Sequence, residues 1–125
     1  DKTKRIKEIL DFVGLEKSIS TLASNLSYGQ RKLLDLAVAI AKPHKVLLLD
    51  EPVAGVNPQL RTQIKNVLKK LNEKGETILI IEHDMIFTMK LADYVYVLDE
   101  GRVIAHGKPK EIQNSKKVLE AYLGD

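Results

Sequence analysis

Apolar residues recur along this chain in two rhythms. Ile6, Ile9, Leu10 and Val13 fall on one face of a helical repeat over residues 4–13, with Gly14 placed to end it. Over residues 30–41 the apolar positions Leu33, Leu34, Leu36, Ala37, Val38 and Ile40 spread beyond one face. That pattern predicts a largely buried helix starting directly after Gly29. Leu60, Ile64, Val67, Leu68 and Leu71 keep the helical period over residues 58–74, while Lys65, Lys69 and Lys70 take the other face as a solvated surface and Gly75 follows as a stop. The second rhythm is unbroken: residues 46–49 and 77–81 are continuous runs dominated by aliphatic side chains, the pattern of strands covered on both faces. Residues 94–98 and 102–105 flank Asp99, Glu100 and Gly101, the spacing of a hairpin. Asp84 is placed to cap a helix over 85–91, in which Met85 and Met89 read as core filling, and residues 109–123 predict two short helices parted near Asn114 and Ser115.

Buried strands alternating with helices predict an α/β fold with a mainly parallel sheet, closed at the C-terminal end by an antiparallel hairpin. At 125 residues the chain is one domain's worth. It has no cysteine, which excludes disulfides, thiolate metal sites and thiol chemistry. Its 20 basic and 17 acidic side chains leave a net charge of +3 spread along the chain, too weak a field to point to nucleic acid. The longest apolar runs fall far short of the roughly 20 residues of a membrane span.

In open α/β sheets, ligands bind beyond the C-terminal ends of the strands. The first strand ends in Asp50 and Glu51; one carboxylate can hold a hard cation such as Mg²⁺ through oxygen while the other orients or deprotonates a water. The second leads to His83, a donor for an anionic group. Upstream, Ser27 and Gly29 stand at the start of the second helix, where free N–H groups suit a phosphate; locally, the plainer alternative is an ordinary helix cap by Ser27. His44, beside Pro43, and His106 are expected in solvent, and no His and carboxylate groups share a helical metal-ligand spacing.

Taken in order, Leu-Ser-Tyr-Gly-Gln at 26–30, Val-Leu-Leu-Leu-Asp-Glu-Pro at 46–52, Ala-Gly-Val-Asn-Pro at 54–58 and Ile-Ile-Glu-His-Asp at 80–84 resemble, intervals included, the C-terminal part of an ATP-binding-cassette (ABC) ATPase domain of the P-loop NTPase type. The resemblance covers essentially the whole chain and implies roles residue by residue. Ser27, Gly29 and Gln30 match the signature that contacts the γ-phosphate of ATP held by the opposite subunit. Asp50 matches the Walker B aspartate that acts on Mg²⁺, and Glu51 the general base. Residues 54–57, ending in Asn57, match the D-loop that links the two sites of a dimer, and His83 the switch histidine that senses the γ-phosphate. Asn57 stands where most of the family carries Asp, and Leu33 and Val38 where the signature helix usually carries Arg.

Tyr28 within the signature, the D-loop sequence, the segment from Ile81 to Met85 and the ending Val-Leu-Glu-Ala-Tyr-Leu-Gly at 118–124 are similar to ATP-binding subunits of branched-chain amino acid importers. The resemblance implies ATP and Mg²⁺ as cofactors, and ATP hydrolysis that energises transport. It implies a second ATP-binding subunit, identical or not, and a transmembrane permease as partners, no nucleic acid, and a place on the cytoplasmic face of the cell membrane, peripheral to it. Related subunits for urea and lipopolysaccharide transport share much of the pattern. A different reading is a non-catalytic half that offers the signature to a partner's ATP.

The pattern G-x-x-x-x-G-K-[ST] is absent from these 125 residues; the nearest approach, from Gly101 to Gly107-Lys108-Pro109, has one residue too many and a proline in place of the hydroxyl. Residues 1–125 are therefore expected to be a partial ABC ATPase domain, with 108–125 a family-specific tail, inactive alone because the phosphate loop is missing. In the family that loop follows a strand lying between those read at 77–81 and 94–98, so its removal is expected to leave unpaired strand edges. The expected outcome is that the 125-residue chain exposes apolar surface to a hydrophobic dye; cooperative unfolding of a dye-silent monomer would contradict it.

Overall fold

The computed structural model describes residues 1–123, so Gly124 and Asp125 of the expected tail lie outside the described residues. The chain forms two compact units that divide after Glu82.

The first unit opens with α1 (Lys2–Val13), capped by the Asp1 carboxylate and ended by Gly14 in the left-handed conformation at φ 78°. A 3-10 turn at Ala23–Asn25 leads into α2 (Tyr28–Ala41), followed by β1 (Val46–Asp50), α3 (Pro58–Glu73) and β2 (Thr77–Ile81). β1 and β2 pair in parallel with α3 as the crossover, from Val46 opposite Thr77 to Asp50 opposite Ile81. α1 packs on α2 and α3. Two long side chains finish helix ends across this contact: Gln63 Nε2 donates to the carbonyls of Val13 (2.9 Å) and Gly14 (3.1 Å), and the Arg5 guanidinium donates to that of Ala41 (3.0 Å). Val13, Leu33, Leu36, Leu47, Ile64, Val67, Leu68 and Leu71 form much of the buried interior.

Two expectations need correction. The strands are not covered on both faces. Leu47 is buried, but Val46, Leu48, Leu79 and Ile81 are 48–68% exposed, and the register places them together on one open face of the pair. α2 starts two residues earlier than the periodicity indicates, at Tyr28, and buries only Leu33, Leu36 and Ala37 fully; Val38 points outward. The physical reason is shared: an aliphatic run states what a segment can bury, not which of its faces finds a neighbour.

The second unit holds α4 (Met85–Leu91), β3 (Val95–Asp99), β4 (Arg102–Gly107), α5 (Pro109–Gln113) and α6 (Lys116–Leu123). Asp84 caps α4 by accepting from the Phe87 N–H at 3.0 Å, as its placement predicts. β3 and β4 form the antiparallel hairpin, with a register shift between Val97 and Leu98. Glu100 (φ 47°) and Gly101 (φ 76°) are both left-handed at the turn, the requirement of a two-residue type I′ connection. Val95, Val97, Ile112 and Val118 make its core, and Met85 and Met89 pack against it as expected. The α/β class with parallel and hairpin pairings is as predicted, in two separate two-stranded sheets.

Of the two histidines expected in solvent, His106 is so placed and His44 is not. His106 is exposed, but it lies within β4 and its Nδ1 is 2.6 Å from the Tyr94 hydroxyl. His44 is half-buried and bridges the approaches to β1 and β2: Nδ1 lies 2.6 Å from the Lys42 carbonyl and Nε2 2.8 Å from the Glu76 carboxylate. Both partners are acceptors, so both ring nitrogens are best satisfied as donors, which only the imidazolium provides. The hydrogen bond to Glu76, then that to the Lys42 carbonyl, raises the His44 pKa above 6.5. A group whose pKa is raised on folding stabilises fully below its unfolded value and loses that contribution as pH rises through the folded value. Chain stability is therefore expected to fall as pH climbs from about 6.5 through the raised value, and Glu76→Gln to flatten that slope; urea unfolding at a series of pH values, with NMR titration of the ring, checks it.

Candidate functional site

The end of β1 is set by hydrogen bonding. Asp50 is its last residue, opposite Ile81, and the Glu51 N–H continues the ladder by donating to the Ile81 carbonyl at 2.8 Å. Glu51 then adopts φ 47°, a left-handed conformation that costs an L side chain about 1–2 kcal/mol. Glu100 shares that φ, but its hairpin turn accounts for it; no hairpin does so at Glu51. Such outliers concentrate where a side chain must be aimed. Beyond it the chain makes two tight turns, Ala54 N–H to the Glu51 carbonyl and Val56 N–H to the Val53 carbonyl, each 3.2 Å. Val53 and Val56 are buried and pin the loop, leaving Asp50, Glu51 and Gly55 exposed.

The loop ends at Asn57, whose side-chain oxygen accepts from the Leu60 N–H at 2.9 Å and caps α3, with Pro58 pre-set for the first turn. Against this loop stands the start of α2. Ser27 and Gln30 form a capping box: the Gln30 N–H donates to Ser27 Oγ at 3.2 Å, and the Ser27 N–H donates to Gln30 Oε1 at 2.9 Å. The plain cap that the sequence allowed for Ser27 is thus present. It leaves an uneven surface, because both bonds occupy acceptor oxygens while the Ser27 hydroxyl proton and the two Gln30 amide protons remain as donors. With the helix-start N–H groups that the box does not use, they supply donors suited to an anion.

Gly29 is where α2 meets the start of α3: a Cβ there would run into Leu60 Cδ2, with Val56 Cγ1 4.0 Å away. The Tyr28 hydroxyl donates to the Ala54 carbonyl at 3.0 Å. The structure therefore brings segments 26–30 and 54–57 into contact, beyond the strand that ends at Asp50 and leads into Glu51. A depression of about 170 Å³ at the end of β1 is lined by Lys32, Asp35, Leu36, Leu49, Asp50, Pro52 and Ile64. That is well under the roughly 300 Å³ at which ligand pockets begin, so these residues form a wall rather than an enclosed site. His83 opens the second unit, exposed and directly before the capping Asp84.

Residues 1–54 match the family described as ABC transporter, and residues 102–125 the family described as branched-chain amino acid ATP-binding cassette transporter. The chain belongs to the ABC transporter ATP-binding family. The probable branched-chain amino acid transport ATP-binding protein LivG of Archaeoglobus fulgidus is 44% identical over 116 residues, covering 93% of this chain and 45% of that protein. The high-affinity branched-chain amino acid transport ATP-binding protein LivG of Salmonella typhimurium is 39% identical over 117 residues, with 93% and 46% covered. A crystal structure of the ADP conformation of an ATP-binding cassette of an ABC transporter matches with a TM-score of 0.86 at 36% identity, over 98% of this chain and 50% of that one. This ABC chain thus spans about half the length of the curated relatives it matches.

What sequence reasoning missed within the ABC motifs is the bond from Tyr28 to Ala54; in the sequence Tyr28 stands out only by its likeness to the importer signature. The two caps make a clear test of the local geometry. Asn57→Ala is expected to lower stability by about 1 kcal/mol and Asn57→Asp to retain it, with Ser27→Ala resembling the former; urea unfolding midpoints measure all three.

Proposed function

We propose that this chain carries the signature, Walker B, D-loop and switch elements of an ATP-hydrolysing subunit that energises import of branched-chain amino acids. The observation that carries the ATP site is the capping box, which uses the oxygens of Ser27 and Gln30 and leaves their protons as donors at a helix start that touches the loop after Glu51 through Tyr28. Ser27, Gly29 and Gln30 present those donors to the γ-phosphate of ATP bound by a second subunit. Glu51 takes a proton from the attacking water as its oxygen bonds to the γ-phosphorus and the bond to the ADP oxygen breaks. Asn57 holds the loop that joins the two sites, and His83 donates to the γ-phosphate.

The donor set fits Mg²⁺. Among the described residues no group of three or more His, Cys, Asp or Glu is placed to hold a metal ion, and Mg²⁺ characteristically takes one or two carboxylates with phosphates and waters rather than a protein cage. Asp50, exposed at the strand end, supplies such a carboxylate. When bound, Mg²⁺ neutralises charge that develops on the phosphates.

The match of residues 102–125 and the names of the relatives support branched-chain amino acids as the cargo. In this reading a transmembrane permease supplies the pore, and the chain sits against it on the cytoplasmic face of the membrane. No described helix is long and apolar enough to cross a membrane itself. In the transport ATPase that carries these residues, Glu51→Gln is expected to cut turnover by about 10²–10⁴-fold while MgATP binding is retained. Steady-state hydrolysis and nucleotide titration measure the two quantities, and undiminished hydrolysis would defeat the assignment of Glu51.

A further inference from the structure

Tyr28 is the residue through which the start of α2 grips the loop after Glu51. Its hydroxyl donates to the Ala54 carbonyl at 3.0 Å, and its ring edge lies along Gly55. Gly55 has φ +70°, and a Cβ there would come within 3.4 Å of Tyr28 Cε1. The Lys32 ammonium stands 5.8 Å from the ring centroid, one turn along the same helix. The ring is nonetheless 53% exposed, so it contributes little to the core. A large aromatic side chain left half in water while its polar end ties down a loop carbonyl serves position more than burial.

The loop needs such a tie. Val53 and Val56 anchor it from below, while its tip at half-buried Ala54 and exposed Gly55 is shaped by two turn bonds of 3.2 Å. Glu51 is at one end of this loop and Asn57 at the other. We propose that Tyr28 is a positioning residue that couples phosphate contact at Ser27–Gln30 to the placement of the 51–57 loop, and through that loop to Glu51. The coupling rests on the ATP-site assignment made above. It acts because Tyr28 lies between Ser27 and Gly29 in the chain, so a shift of the helix start toward or away from an anion moves the hydroxyl that holds Ala54.

Tyr28→Phe removes the hydroxyl and leaves the ring beside Gly55. In the 125-residue chain, this variant is expected to raise amide hydrogen exchange selectively at residues 54–57, by about tenfold at most, with α1 and β1 unchanged. In the transport ATPase, it is expected to lower kcat several-fold with KM for ATP and the melting temperature retained. Tyr28→Ala is expected to lower kcat further. A merely structural role would instead lower the melting temperature and raise exchange throughout α2 and α3. Unchanged exchange at 54–57, or unchanged kcat in Tyr28→Phe, overturns the coupling. Glu51→Gln in the same assay separates the two failures: if it keeps full turnover, the ATP-site assignment is wrong, whereas if it loses turnover while Tyr28→Phe does not, only the coupling is.

Discussion

The first unit depends on the in-register parallel pairing of β1 with β2. Five residue pairs run from Val46 and Thr77 to Asp50 and Ile81, and the ladder is extended once more by the Glu51 amide. Because that last bond holds Glu51 to the sheet while its φ turns left-handed, the chain must leave the strand abruptly. Two turns then carry it into the buried anchors Val53 and Val56 and on to the cap of α3. A slip of one residue in this pairing would exchange the buried Leu47 for the exposed Leu48 and displace both carboxylates.

The polar residues of the site are also the residues that build it. Ser27, Gln30 and Asn57 each close a helix start, and the left-handed Glu51 is part of the turn that aims its own side chain. Folding and chemistry are compatible because capping uses oxygen acceptors, while an anion asks for donors. One side chain can serve both demands without releasing either.

Much of this was legible in the sequence, because it is local. The period of Leu60, Ile64, Val67, Leu68 and Leu71, the placement of Asp84, and the Glu100-Gly101 turn each declare an element within a few residues. The motif spacing singled out residues 26–30 and 54–57, which the structure brings into contact. The open face of β1 and β2 was not legible, since residues 46–49 and 77–81 look alike whether one face is covered or two. Nor was the partnership of His44 with Glu76, residues 32 positions apart, because the polar neighbours of each suggest only solvent.

Four of the long-range polar bonds, unlike the side-chain pairs of His44 with Glu76 and Tyr94 with His106, share a property that reaches past this one structure. Tyr28 to Ala54, Arg5 to Ala41, Gln63 to Val13 and Tyr122 to Leu98 all run from a side chain to a main-chain oxygen. Every amino acid offers that oxygen, so the receiving position can mutate freely without erasing the bond. Such joints are inherited from one side only. Correlated substitution between positions, the usual trace of contact in a family's history, would leave them unmarked. Their record lies wholly in the persistence of the donor.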